Sequence, residues 1–145
     1  EWEVVVLDVK EAKYVKSDSG YYRAPKGCKA IIVTIRFRNV GSDIESLSNY
    51  FSTPMLITTT NKIYETVSPW WDLERVRFSD SDYQQAVQQA IAYNEIEWHS
   101  DVGPNTYVEG DLLFKVPEGE QAAKLFIIYR PSPSKPKILV EVILA

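Results

Sequence analysis

The stretch Ile31-Ile32-Val33-Thr34-Ile35-Arg36-Phe37-Arg38 decides the fold class. Ile31, Val33, Ile35 and Phe37 share one parity; Thr34, Arg36 and Arg38 share the other. Successive side chains of a strand point to opposite faces, so this period of two describes an antiparallel strand with one face in a core. Asn39-Val40-Gly41-Ser42-Asp43 ends it as a turn, with Asn and Gly supplying the unusual backbone angles.

The same signal recurs outward from this strand. Leu112, Phe114 and Val116 alternate with Asp111, Leu113 and Lys115 before Pro117-Glu118-Gly119. Trp2 to Val9 is rich in Val and Leu on both parities and reads as a strand. Leu56 to Thr60 and Ile63 to Val67 flank Asn61-Lys62 as a hairpin, with Pro54 at its start. Leu125 to Tyr129 and Ile138 to Leu144 complete the set, joined by a stiff Pro-rich link, Pro131 to Pro136. Ser17-Asp18-Ser19-Gly20 and Pro25-Lys26-Gly27 read as one long loop. About seven strands predict an immunoglobulin-like antiparallel β-sandwich, a single domain over residues 1–145.

From about Ser68 to Ser100 the period changes, which predicts one helical insertion. Tyr83, Val87, Ala90 and Ile91 recur at helical spacing, with Gln84, Gln85, Gln88 and Gln89 between them. Ser81 and Gln84 form a capping-box pattern, and Asp82 suits the positive end of a helix dipole. The expected helix runs from about Asp82 to Asn94.

Composition narrows the function classes. With 45% hydrophobic and 25% charged residues the chain is globular, and a net charge of −4 offers no global field for nucleic acid. No apolar run approaches the ~18 residues that span a bilayer, so direct membrane insertion is not expected. Cys28 stands alone, which excludes an intramolecular disulfide and predicts a small core hydrophobe.

Catalytic constellations are sparse. His99 is the single histidine, and one His with one Cys cannot furnish the usual zinc sets or support a nucleophile elbow. No Gly-rich phosphate loop is present, so no cofactor is expected. The pairs Asp72 with Glu74 and Glu95 with Glu97 are the carboxylates that glycoside cleavage would need. Ser79-Asp80-Ser81-Asp82 offers oxygens to calcium but lacks EF-hand spacing, and helix capping accounts for it.

The aromatic set stands out. Trp70, Trp71, Phe78, Tyr83, Tyr93 and Trp98 all fall in the insertion. They either fix the helix onto the sandwich or leave at least one indole free for recognition, where Trp and Tyr are enriched. Trp70 and Trp71 in an extended stretch would point to opposite sides, leaving one outward to form a patch with Phe78 or Trp98.

Three stretches resemble a known family. They are Trp2 to Val9, Lys29 to Gly41, and Val108-Glu109-Gly110-Asp111-Leu112-Leu113-Phe114-Lys115-Val116-Pro117 followed by Lys124 to Tyr129. Together they are similar to an uncharacterised immunoglobulin-like family of unknown function found on prokaryotic lipoproteins and secreted antigens. The resemblance spans about residues 2–60 and 103–144, and departs from the family between Ser68 and Ser100. It implies an extracytoplasmic setting, tethered or secreted, and no catalytic residues. The expected function is a non-enzymatic binding or assembly module with a protein or carbohydrate partner. A structural spacer is the alternative, and a hydrolase a distant third.

Overall fold

The computed structural model describes residues 1–144. Its strands are β1 (Trp2–Ala12), β2 (Tyr14–Ser17), β3 (Gly20–Arg23), β4 (Cys28–Asn39), β5 (Glu45–Ser46), β6 (Met55–Thr58) and β7 (Ile63–Tyr64). They continue as β8 (Glu74–Val76), β9 (Ile91–Ala92), β10 (Asp101–Val102), β11 (Tyr107–Pro117), β12 (Ala122–Tyr129) and β13 (Ile138–Ile143). Three short helices intervene: α1 (Leu47–Tyr50), α2 (Pro69–Asp72) and α3 (Tyr83–Gln89).

Seven of the strands build an antiparallel β-sandwich, as the patterning predicts. One sheet has the order β1-β4-β11 and the other β13-β12-β6-β7. Ile31, Val33, Ile35 and Phe37 meet Leu112, Phe114 and Val116 from the first sheet and Leu56, Leu125 and Ile127 from the second. All ten are at most 2% exposed, so the period-two reading identifies the inner face correctly. In β1 a register shift between Val6 and Asp8 moves the inward parity from Val4 and Val6 to Val9. That bulge is why β1 carries apolar residues on both parities.

The Asn39-Val40-Gly41 turn is closed by a fully buried amide. Asn39 Nδ2 donates to the carbonyls of Asp43 (2.7 Å) and Val102 (2.8 Å), while its Oδ1 accepts the Gly41 N–H at 2.9 Å. One side chain thus satisfies three backbone groups that the turn leaves open.

A third layer departs from the sequence expectation. Ser17 to Gly20 is the turn of a tight hairpin between β2 and β3, with Gly20 at φ 133°, rather than part of a long loop. This hairpin forms a four-stranded sheet, β8-β3-β2-β9, with β2 and β9 parallel. It covers the outer face of the first sheet: Val15 and Tyr22 pack on Ala30, Ile32 and Leu113. Residues 68–100 carry α2 and α3, as a helical insertion would, and in addition supply β8 and β9 to this third layer.

The expected helix Asp82–Asn94 shortens to Tyr83–Gln89. Ala90 turns extended, and Ile91 and Ala92 pair instead with Val15 and Lys16. Long-range strand pairing outweighs local helical spacing here. The inward residues of α3 are Tyr83, Ala86 and Ala90, packed on Tyr14 and Val76, whereas Val87 is exposed. Nor do Ser81 and Asp82 cap the helix through their side chains. The Asp82 carboxylate accepts from Tyr14 Oη (2.9 Å) and Arg23 Nη1 (2.9 Å). Burial opposes that charge, but these two donors outweigh it and lower the Asp82 pKa. Cys28 also departs from expectation, being half-buried at the start of β4 rather than in the core.

Candidate binding cleft

Trp70 and Trp71 lie on one helical turn, not an extended stretch. Pro69 occupies the first turn of α2, where its fixed φ suits a helix, and is buried. The Asp72 carboxylate accepts the Ser68 N–H at 3.0 Å, and Leu73 buries itself at the far end. With Pro69 and Leu73 as anchors, both indoles face outward, Trp70 at 54% exposure and Trp71 at 81%.

Trp70 borders a cleft of about 400 Å³ between the β2–β3 turn and the Tyr93–Glu95 segment. Tyr22 and Tyr93 contribute its buried aromatic side, at 2% and 6% exposure. Ser17, Ser19 and Tyr22 form a hydroxyl chain along one wall, Ser17 Oγ to Ser19 Oγ at 3.0 Å and Ser19 Oγ to Tyr22 Oη at 2.7 Å. Asp18, Arg75, Asn94 and Glu95 complete the rim. Burial, reinforced by the Glu95 and Asp111 carboxylates, pushes the Tyr93 phenol far above the ordinary tyrosine range. Tyr93 therefore remains a neutral hydroxyl.

Asp111 holds the far wall in place. Its Oδ1 accepts from Thr34 Oγ1 at 2.6 Å and its Oδ2 from the Asn94 N–H at 2.8 Å. The backbone closes the same joint, with Asp111 N–H donating to the Asn94 carbonyl (2.8 Å) and Ile96 N–H to the Asp111 carbonyl (3.2 Å). The cleft thus combines an indole face with hydroxyl, amide, guanidinium and carboxylate groups, the mixture that orients a polar ligand in a concave site.

Of the four residues singled out by sequence, only Trp70 lines this cleft. Trp71 is exposed outside it. Phe78 is 83% exposed and meets Tyr83 edge-on, with ring centroids 5.2 Å apart. Trp98 is half-buried and packs against the core, its ring edge-on to Phe37 at 5.7 Å. Of the carboxylates considered for catalysis and calcium, Asp72, Glu74, Asp80 and Asp82 have partners, whereas the Glu95 and Glu97 side chains form no hydrogen bond or salt bridge among the described residues. Glu74 accepts from Arg23 Nε at 3.0 Å, while Asp80 accepts the Arg77 N–H at 2.8 Å and lies 3.7 Å from Arg23. Tyr93 and Glu95, noted in the sequence as an aromatic and a candidate carboxylate, also line the cleft, but their meeting with Ser17, Asp18, Ser19 and Tyr22 was not legible because the β2–β3 turn reads as a loop; Asp18-Ser19 between two Tyr- and Val-containing runs was the available signal.

Comparison with known proteins agrees with the fold. A conserved hypothetical protein from Bacillus anthracis superposes with a TM-score of 0.56 at 16% identity, covering 95% of this chain and 86% of that one. An uncharacterised β-sandwich protein from Clostridium difficile 630 gives a TM-score of 0.45 at 10% identity, covering 97% and 84%. No protein-family model and no curated protein matches the chain. The first similarity shows a shared fold, and the two facing antiparallel sheets described above make this chain a β-sandwich domain.

Proposed function

We propose that this chain is a non-catalytic, immunoglobulin-like binding module of an extracytoplasmic protein, and that it takes a carbohydrate in the Trp70 cleft. The observation that carries the reading is the exposed Trp70 indole beside a wall of hydroxyls and amides. A sugar ring offers C–H faces to an indole and hydroxyls to polar side chains, so both halves of the cleft gain partners. The extracytoplasmic setting, tethered or secreted, rests on the resemblance to domains of prokaryotic lipoproteins and secreted antigens.

Ligand-observed NMR against an oligosaccharide panel tests this. Saturation transfer to at least one sugar, lost in W70A and weakened in N94A, is the expected result. A silent panel, or signals that survive W70A, would overturn it. A protein partner is the second reading, favoured by Trp71 and Phe78, large apolar side chains that lie outside the cleft.

A further inference from the structure

The Pro-rich link between β12 and β13 walls a second cleft, of about 780 Å³, against the end of α1. Arg130, Lys135 and Lys137 line it, and no carboxylate does. Among the described residues none of the three forms a salt bridge, so their charges are free to meet a ligand. The concentration of positive charge runs against the chain's net −4. The link is also held in shape. The Arg130 N–H donates to the Tyr50 carbonyl at 2.7 Å, and the Lys135 N–H to the Ser132 carbonyl at 3.2 Å. Pro131, Pro133 and Pro136 restrict the backbone between and beyond these bonds.

The strength of exposed charge pairs decides what such a cleft can hold. A single exposed ion pair is too weak to retain a monoanion at millimolar concentration. Several charges on one chain act together, because each contact raises the effective concentration of the next. A ligand retained by these charges would therefore be a polyanion. Asn49 and Ser132 add neutral groups suited to hydroxyls. Tyr50 is the one aromatic residue of the lining; it is half-buried, and its hydroxyl donates to Glu45 at 2.6 Å. Single-stranded nucleic acid wants open aromatic platforms for its bases, and this cleft has none to offer. We infer that the cleft formed by Arg130, Lys135 and Lys137 binds a linear acidic polysaccharide, at a site independent of Trp70.

Fluorescence anisotropy with labelled oligogalacturonate is the test, beside its methyl-esterified form and single-stranded DNA of matched charge. Oligogalacturonate should bind, and more weakly as salt rises. The triple variant R130A/K135A/K137A should lose about tenfold or more in affinity with an unchanged melting temperature, since these side chains are exposed. R130K/K135R/K137R should retain binding, and W70A should bind like wild type. Absence of oligogalacturonate binding, or a triple alanine variant that binds like wild type, overturns the site. Equal binding of the methyl ester overturns the role of charge, and equal binding of the DNA overturns the polysaccharide class.

Discussion

Ile96 occupies the place that a side chain on Gly110 would fill: a Cβ built there stands 2.4 Å from Ile96 Cα and 2.7 Å from its backbone nitrogen. No residue other than glycine fits β11 at this point while the Asn94–Ile96 segment remains docked. The Glu109-Gly110-Asp111 motif thereby gains a physical meaning. Glycine admits the neighbouring segment, and Asp111 bonds it.

G110A should destabilise the fold by about 3 kcal/mol, the upper part of the usual overpacking range, because the clash is with backbone and not with a flexible side-chain tip. Urea unfolding should show a lower midpoint with an unchanged slope. A midpoint within error of wild type would show that Ile96 can move aside at little cost.

The tryptophans separate by stability. W71A removes an indole that is 81% exposed and should change stability by no more than about 0.5 kcal/mol. W98A removes a half-buried ring from the Phe37 contact and should cost about 2 kcal/mol or more. Thermal unfolding of the two variants side by side checks both; equal losses would contradict the burial pattern.

This contrast marks where local sequence pattern stops being informative. Alternation from Ile31 to Phe37 identifies the inner face because a sheet has only two sides. It does not reveal that Ile32 and Leu113, on the opposite parity, are also covered, since the β2–β3 hairpin that covers them lies elsewhere in the chain. Apolar residues at those two outward positions were the only hint. Helical spacing at Tyr83 to Ile91 was half right, because pairing of Ile91 with Val15 is a non-local event. Trp70-Trp71 looked extended, yet Pro69 begins a helical turn that sets adjacent side chains about 100° apart rather than opposed. Nothing within residues 94–111 could disclose the cleft, which depends on a turn at Asp18-Ser19.

Glu120 gives the fold an acid-sensitive joint. It is 5% exposed and accepts from Thr60 Oγ1 at 2.7 Å, with Lys62 Nζ at 3.5 Å and Tyr64 Oη at 3.4 Å. The Thr60 hydrogen bond chiefly, with help from Lys62, holds its carboxyl below the ordinary glutamate range despite burial. Its contribution is present in full above the unfolded-state value, about 4.3, and is lost as pH falls through the lower folded value. E120Q should therefore be less stable than wild type at neutral pH, and the gap should narrow as the solution is acidified below about pH 4. Denaturant midpoints across that range measure it; a gap that stays constant with pH would rule out the linkage.

Asp111 ties stability to the Trp70 cleft through its two carboxylate oxygens, each of which accepts a different donor. Ala in its place removes both acceptor oxygens, so the Asn94 N–H and the Thr34 hydroxyl lose their shared partner. D111A should accordingly cost about 1–3 kcal/mol, the range for leaving a buried polar group unsatisfied. Without the carboxylate the Asn94 N–H is released and the cleft wall loosens. Amide exchange at Asn94 should therefore accelerate in D111A while amides of β4 around Val33 and Ile35 keep their protection, because local opening needs less free energy than global unfolding. T34V supplies the control: it removes the Thr34 donor and leaves the carboxylate on Asn94, so exchange there should stay slow. Faster exchange at Asn94 in both variants to the same degree would mean that Asp111 acts through general stability and not by holding the cleft wall.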